Sequence, residues 1–223
     1  MSKLIDEPAY RNRMHMFEDR MVAGHFLAKK LKGLVGENGI VLAIPAGGVP
    51  VGYVVAKDLN LHFDIVLVRK IHIPWNPEAG FGAVTWNGSV IFNEQLLNNL
   101  SLSEEEINRC VDEEKKEIEK RQMIFRQGKP FPDLRNKIVL LIDDGLASGY
   151  SMLAAAVSVE KKEPKKIIIA TPTASADAIK LVEPYADKIV CLNVREGFPY
   201  AVADAYQLWY DLSDDEVKNI INL

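Results

Sequence analysis

The sequence predicts an α/β fold: a three-layer domain with a mostly parallel central sheet. Three observations predict it. Short apolar runs occur at Ile40–Ile44, Phe63–Val68, Ile138–Ile142, Lys166–Ala170 and Ile189–Val194. Runs this short and this uniformly apolar suit strands buried on both faces. Segments with helical spacing separate them, and turns of Gly, Pro or Ser follow several. Strand–helix alternation of this kind builds parallel sheets with right-handed crossovers.

Residues 1–13 read as an N-terminal extension. From Met14 to Lys32 the apolar positions Phe17, Met21, Phe26, Leu27 and Leu31 recur near helical spacing, and Gly33, Gly36 and Gly39 end that helix. Ile40–Ile44 is the first expected strand, Pro45–Pro50 a turn, Val51–Leu59 a helix and Phe63–Val68 the second strand. Residues 71–90 differ in character, with two prolines, three glycines, two asparagines and two tryptophans. They fit either an irregular hairpin or a mobile loop. Ser103 followed by Glu106 is a capping box, and it opens a charged helix through about Arg126. The Ile138 strand, a Met152–Lys162 helix, the Lys166 strand, an Ala174–Val182 helix and the Ile189 strand follow. Ser213 and Glu216 form a second capping box over a short C-terminal helix.

Composition narrows the function. The chain has 223 residues, 48% of them hydrophobic, enough for one domain with a sizeable core. The net charge of −4 gives no basic field for nucleic acid. No apolar run approaches a membrane span and no signal-peptide core is present, so the expected setting is cytoplasmic, without a membrane partner. Cys110 and Cys191 have neither metal-ligand spacing nor a disulfide framework. No nucleophile motif stands out.

The chemistry concentrates in Ile138–Met152. Four further hydrophobics after Ile138 run into Asp143 and Asp144; Gly145-Leu146-Ala147-Ser148-Gly149-Tyr150-Ser151 follow, and a helix opens. A strand feeding a helix through such a turn offers unpaired amides and a positive helix end to a phosphate. Carboxylates beside a phosphate repel it unless they hold something else, such as sugar hydroxyls or a cation. The loop therefore asks for a ligand with both a phosphate and a diol. A second loop, Pro45-Ala46-Gly47-Gly48, would let backbone amides approach an anion closely.

The 138–152 stretch closely resembles the phosphoribosyl pyrophosphate (PRPP) motif of type I phosphoribosyltransferases. The resemblance implies that family's fold, with a small hood and lid beside the central sheet. It implies a Mg²⁺-dependent transfer of the phosphoribosyl group to a nitrogenous base or amine. Asp143 and Asp144 would hold the ribose diol and meet the metal through water at most. Gly145, Leu146, Ala147, Ser148, Gly149, Tyr150 and Ser151 would hold the 5-phosphate. Ala46, Gly47 and Gly48 would form the pyrophosphate loop, with a non-proline cis bond expected at Ala46–Gly47. Relatives carry Arg or Lys where this chain has Ala46. Arg69 and Lys70, at the end of the second strand, would neutralise the departing diphosphate, and Ile71–Gly88 would occupy the place of the catalytic loop. Trp75 and Trp86 fit either anchors for a homo-oligomer partner or internal packing. Phe198, Tyr200, Tyr206, Trp209 and Tyr210 are the aromatics available to an acceptor hood in residues 195–223. Ala147 replaces the acid that 6-oxopurine enzymes place in this loop, which argues against that acceptor class. The alternative function is a non-catalytic PRPP or nucleotide sensor on the same fold.

Overall fold

A computed structural model describes residues 3–197 and 199–223, with only the backbone described for Pro77 and Glu78. Six parallel strands make the central sheet: β1 (Leu4–Asp6), β2 (Gly39–Ala43), β3 (His62–Ile65), β7 (Ile138–Ile142), β8 (Lys166–Ser175) and β9 (Lys188–Arg195). Their order is β1-β9-β8-β7-β2-β3. A second, antiparallel sheet holds β4 (Val68–Ile73), β5 (Asn76–Thr85) and β6 (Val90–Phe92). The expected α/β class with a mostly parallel sheet is the class observed.

Helices α1 (Arg20–Leu31) and α2 (Gly48–Leu59) cover one face of the central sheet. There Val41, Leu140, Ile168 and Val190 pack with Leu27, Val51 and Val55. On the other face Ile40, Leu42, Val139, Leu141 and Ile189 pack with α5 (Tyr150–Glu160) and α6 (Ala176–Val182). Successive strand residues thus enter opposite cores, the physical reason these strands are apolar throughout. A short α3 (Glu94–Leu97) and the long α4 (Glu104–Arg126) pack with the antiparallel sheet around Ile71, Phe81, Val111 and Ile118. The last helix, α7 (Asp214–Ile221), buries Val217 beside Phe125 and Ile65.

The helix boundaries follow from caps. Both capping boxes form, at Ser103 with Glu106 and at Ser213 with Glu216. In each, the backbone N–H first and the hydroxyl second hold the glutamate below its usual pKa. Helix α1 starts at Arg20 rather than near Met14, because the Asp19 side chain accepts from the Val22 N–H and fixes the start. The freed Phe17 joins the core and pairs with Tyr206 as an isolated bridge.

Two further expectations change. The N-terminal extension contributes an edge strand, β1, paired with β9 from Leu4 opposite Ile189 to Asp6 opposite Cys191. The expected single strand Phe63–Val68 is broken: β3 ends at Ile65, and Val68 begins the antiparallel sheet. Val66 still donates to the Ala43 carbonyl, whereas Trp86 donates to the Leu67 carbonyl, so the chain changes partners between these two residues. Residues 71–90 take the hairpin form.

Candidate active site

From β2 the chain winds outward through α2 to β3; from β7 it winds the other way through α5 to β8. β2 and β7 are neighbours, Ala43 opposite Ile142, so the crevice beyond their carboxyl ends is the switch point of the sheet. Doubly wound sheets bind ligands at that crevice. Both helices that leave it start without a side-chain cap: α2 after Gly47 and α5 after Gly149. The α2 end is already paired, since Gly48 donates to the Ile44 carbonyl, Val49 donates to the Ala46 carbonyl and Pro50 has no N–H. The orphan amides of the crevice are those of α5, and α2 adds the positive end of its dipole.

The two loops touch. A Cβ built on Gly47 would fall on the Asp144 carboxylate, and one on Gly48 would stand 2.8 Å from the Ile142 carbonyl and 3.0 Å from the Asp143 Cα. Only glycines allow this approach. The cis peptide of the loop is Pro45–Ala46, one bond before the expected Ala46–Gly47.

The acids are not equivalent. Asp144 is buried, and its Oδ2 accepts from Arg20 Nε at 2.8 Å. Arg20 also donates from Nη1 to the Tyr210 carbonyl at 2.9 Å, and its guanidinium lies 3.9 Å from the centre of the Trp209 ring. Tyr206 is buried, and its hydroxyl donates to the Asp144 carbonyl at 2.6 Å. Asp143 is less enclosed. Its Oδ1 accepts the Asp144 N–H at 2.9 Å. Desolvation first, and the Asp144 charge second, push Asp143 well above the usual carboxylate range, against the pull of Arg20.

The 145–151 loop divides as well. Leu146 is buried, donates to the Thr173 carbonyl and accepts from the Ser175 N–H. Its amide is therefore engaged, which removes Leu146 from the phosphate-binding set expected for it. A Cβ on Gly145 would collide with Val202, so Gly145 seats the loop against the C-terminal segment. Gly149 has φ +82°, which turns the chain into α5. The amides of Ala147, Ser148 and Gly149 have no acceptor among the described residues. With the first-turn amides of α5, including Tyr150 and Ser151, they form a continuous donor arc. Ser175, which carries no signal in the sequence, braces it: its hydroxyl donates to the Ala147 carbonyl at 2.8 Å and accepts from the Ala178 N–H.

Arg69 and Lys70 lie on β4 of the antiparallel sheet, not at the end of a central strand. Arg69 Nε donates to Glu114 at 2.9 Å, and the other Glu114 oxygen meets His72 Nδ1 at 2.8 Å. No contact joins Arg69 to the acid pair among the described residues. Of the aromatics expected in a hood, Tyr206 and Trp209 instead support the acids through Asp144 and Arg20. Tyr200 remains beside a cleft of about 670 Å³ lined by Ala147, Ser175, Lys180, Arg195 and Glu196. Tyr210 is exposed, and Phe198 lies outside the described residues. Trp86 stacks on Phe131 at 3.8 Å, internal packing, while Trp75 is exposed. Arg20 escapes sequence reading because nothing in an amphipathic helix marks one arginine as turned inward.

Comparison with known proteins gives the family of the chain. The phosphoribosyl transferase domain model matches residues 86–207, more than half of the chain. The chain belongs to that family, the type I phosphoribosyltransferases. It is 34% identical over 204 residues to the Mycobacterium tuberculosis H37Rv protein named "Putative phosphoribosyl transferase Rv0571c", covering 92% of this chain and 46% of that one. The chain thus spans about half the length of the curated relatives it matches. The crystal structure of TT1426 from Thermus thermophilus is similar at TM-score 0.76 and 34% identity, over 92% of this chain and 97% of that one. AQ2163 of Aquifex aeolicus shares the fold alone, at TM-score 0.50 and 14% identity over 84% of this chain and 78% of that one.

Proposed function

We propose that residues 1–223 act as one phosphoribosyltransferase unit. It transfers the 5-phosphoribosyl group of PRPP to a nitrogenous acceptor and releases pyrophosphate. One observation carries this reading: two uncapped helix N-termini on neighbouring strands flank a pair of aspartates at the switch point. The free amides at the start of α5 suit the 5-phosphate, the Gly47 amide and the positive end of α2 suit the diphosphate, and the acids between them suit the ribose diol.

In the reaction the C1–O bond breaks and its electron pair leaves on the diphosphate. The acceptor nitrogen bonds to C1 and its proton passes to solvent. The ribose ring gains cationic character meanwhile, so the chain's work is positioning and electrostatics. Asp143 and Asp144 hold the sugar hydroxyls and oppose that positive charge. The Ala147–Ser151 arc fixes the phosphate end. Gly47 brings its backbone amide to the leaving group. Gly48, whose N–H is held by the Ile44 carbonyl, lets the loop approach Asp143, and Arg69 and Lys70 on β4 are the further cations proposed for the leaving group. The acceptor enters the cleft beside Ala147, Arg195 and Tyr200.

The residues fit Mg²⁺ only as an ion carried by the substrate. No group of three or more His, Cys, Asp or Glu suited to a metal occurs among the described residues, and Asp144 is taken by Arg20. Mg²⁺ keeps waters and accepts substrate oxygens, so Asp143 would reach it through water. When bound it neutralises diphosphate charge.

Ala46 brings no cation to the diphosphate loop, which favours a second reading: a PRPP or nucleotide sensor that does not turn over. Pyrophosphate release from PRPP with Mg²⁺, measured across a panel of bases and amines, separates them. Release with one acceptor supports transfer. Tight PRPP binding without release from any acceptor supports the sensor, and no PRPP binding defeats both. The cytoplasm is the proposed setting; no helix among the described residues is long and apolar enough to cross a membrane.

A further inference from the structure

Arg20 is a buried arginine with donors left over. It is 6% exposed. A guanidinium has five N–H donors. Nε is used on Asp144 and one Nη1 hydrogen on Tyr210, and no other acceptor is met among the described residues. No Arg20 atom is among the buried side-chain atoms left without a partner, so the spare N–H groups keep access to solvent and with it to a ligand. Asp144 alone does not explain the burial, since a single carboxylate contact through Nε leaves the fork unfilled. The Trp209 ring covers one face of the guanidinium but accepts no conventional hydrogen bond.

The location is specific. The Asp144 oxygen gripped by Arg20 is also the atom nearest a Cβ built on Gly47. One carboxylate oxygen therefore lies against both the arginine and the glycine loop. That loop offers an anion the Gly47 amide, with those of Gly48 and Val49 engaged by backbone carbonyls, and no side-chain charge, because Ala46 has none and packs partly buried beside Val49. Arg69 is engaged by Glu114. Of the cations among the described residues, Arg20 is the one in contact with the acid pair.

We propose that Arg20 contacts the diphosphate of PRPP and serves as the leaving-group cation at this loop. The proposal rests on the phosphoribosyl-transfer reading. Arg20 then has two duties: Nε holds Asp144 in place for the ribose, and the remaining N–H groups meet the oxygens of the diphosphate. It draws charge toward itself as the C1–O bond breaks, and it comes from α1 rather than from either ligand loop.

Calorimetric titration of the full chain with two separate probes tests this: pyrophosphate with Mg²⁺, and ribose 5-phosphate. Wild type is expected to bind both. Arg20→Gln should weaken pyrophosphate by about 10- to 100-fold, the loss of a hydrogen bond to a charged group, and ribose 5-phosphate by distinctly less, because the glutamine amide can still donate to Asp144. Arg20→Lys should recover part of the pyrophosphate affinity. Unchanged pyrophosphate affinity in Arg20→Gln overturns the proposal while leaving the transfer reading intact. Equal loss of both probes also overturns it, because Arg20 would then act only by ordering Asp144. Failure of wild type to bind PRPP or either probe overturns the transfer reading itself. If Arg20→Gln does not fold, Trp209 decides. In a chain with Trp75→Phe and Trp86→Phe, Trp209 is the one tryptophan left, and saturating pyrophosphate should change its emission through the stacked Arg20. No change overturns the proposal.

Discussion

Gly47 and Asp144 compete for one volume: the carboxylate of the acid stands where a side chain on the glycine would begin. The diphosphate loop and the ribose acids are thereby packed as one object. Gly47→Ala should displace the Asp144 carboxylate or the loop, an overpacking cost of about 1–3 kcal/mol, and lower PRPP affinity about tenfold or more. Gly36→Ala meets nothing within 4 Å and serves as the control. Calorimetry with PRPP and urea unfolding check both.

Asp143→Asn and Asp144→Asn should separate binding from stability. Asp144→Asn leaves Arg20 buried without its counter-charge, where breaking such a pair costs about 3–5 kcal/mol. Asp143→Asn removes a carboxylate that is costly to ionise in place, so its stability should hold or rise. The double variant should lose PRPP binding altogether. Unfolding midpoints and PRPP titrations on the three variants read this out, and unchanged PRPP affinity in the double variant would remove the ribose assignment.

Gly149 sits at φ +82°, with Ala178 3.1 Å from the place a Cβ would take. Gly149→Ala should destabilise the chain by about 1–2 kcal/mol for the left-handed backbone. It should also weaken inorganic phosphate binding by re-aiming the amides at the start of α5. Gly33→Ala, also at positive φ but with open space around it, should show the stability loss without the binding loss.

The capping boxes give a pH prediction. Glu106 and Glu216 are held below their usual pKa in the folded chain by Ser103 and Ser213. A depressed folded pKa stabilises above the unfolded value and the benefit fades as pH falls through the folded one. Melting temperature should therefore drop in mild acid. Ser103→Ala with Ser213→Ala should lower it near neutrality and flatten that acid slope, as measured by circular dichroism from neutral pH down into the carboxylate range, about pH 3–4.

Several features were legible because they are local. Ile138–Ile142 reads as a strand from its apolar run and Glu104–Arg126 as a helix from its cap, and both stand at those bounds. The Asp143–Ser151 order names its ligand class because strand, acids and turn must follow one another along the chain. Pairing is another matter. Leu146 looks like part of the phosphate turn, yet β8 runs on to Ser175 and takes its amide. Phe63–Val68 looks like one strand, yet it splits between two sheets at Val66 and Leu67.

By itself, then, the sequence determined the α/β class, the positions of most helices and strands, and a loop fit for a phosphate and a diol. The tertiary structure decided which strands are neighbours, and so that the loop after β2 meets the loop after β7. It also decided that Arg20, 124 residues from Asp144 along the chain, and Tyr206, 62 residues from it, converge on that acid with Trp209 stacked behind. The physical reason is range. Apolar period, caps and turn chemistry act over a few residues and are written in order, whereas a buried charge takes whichever partner the packed layers bring to it.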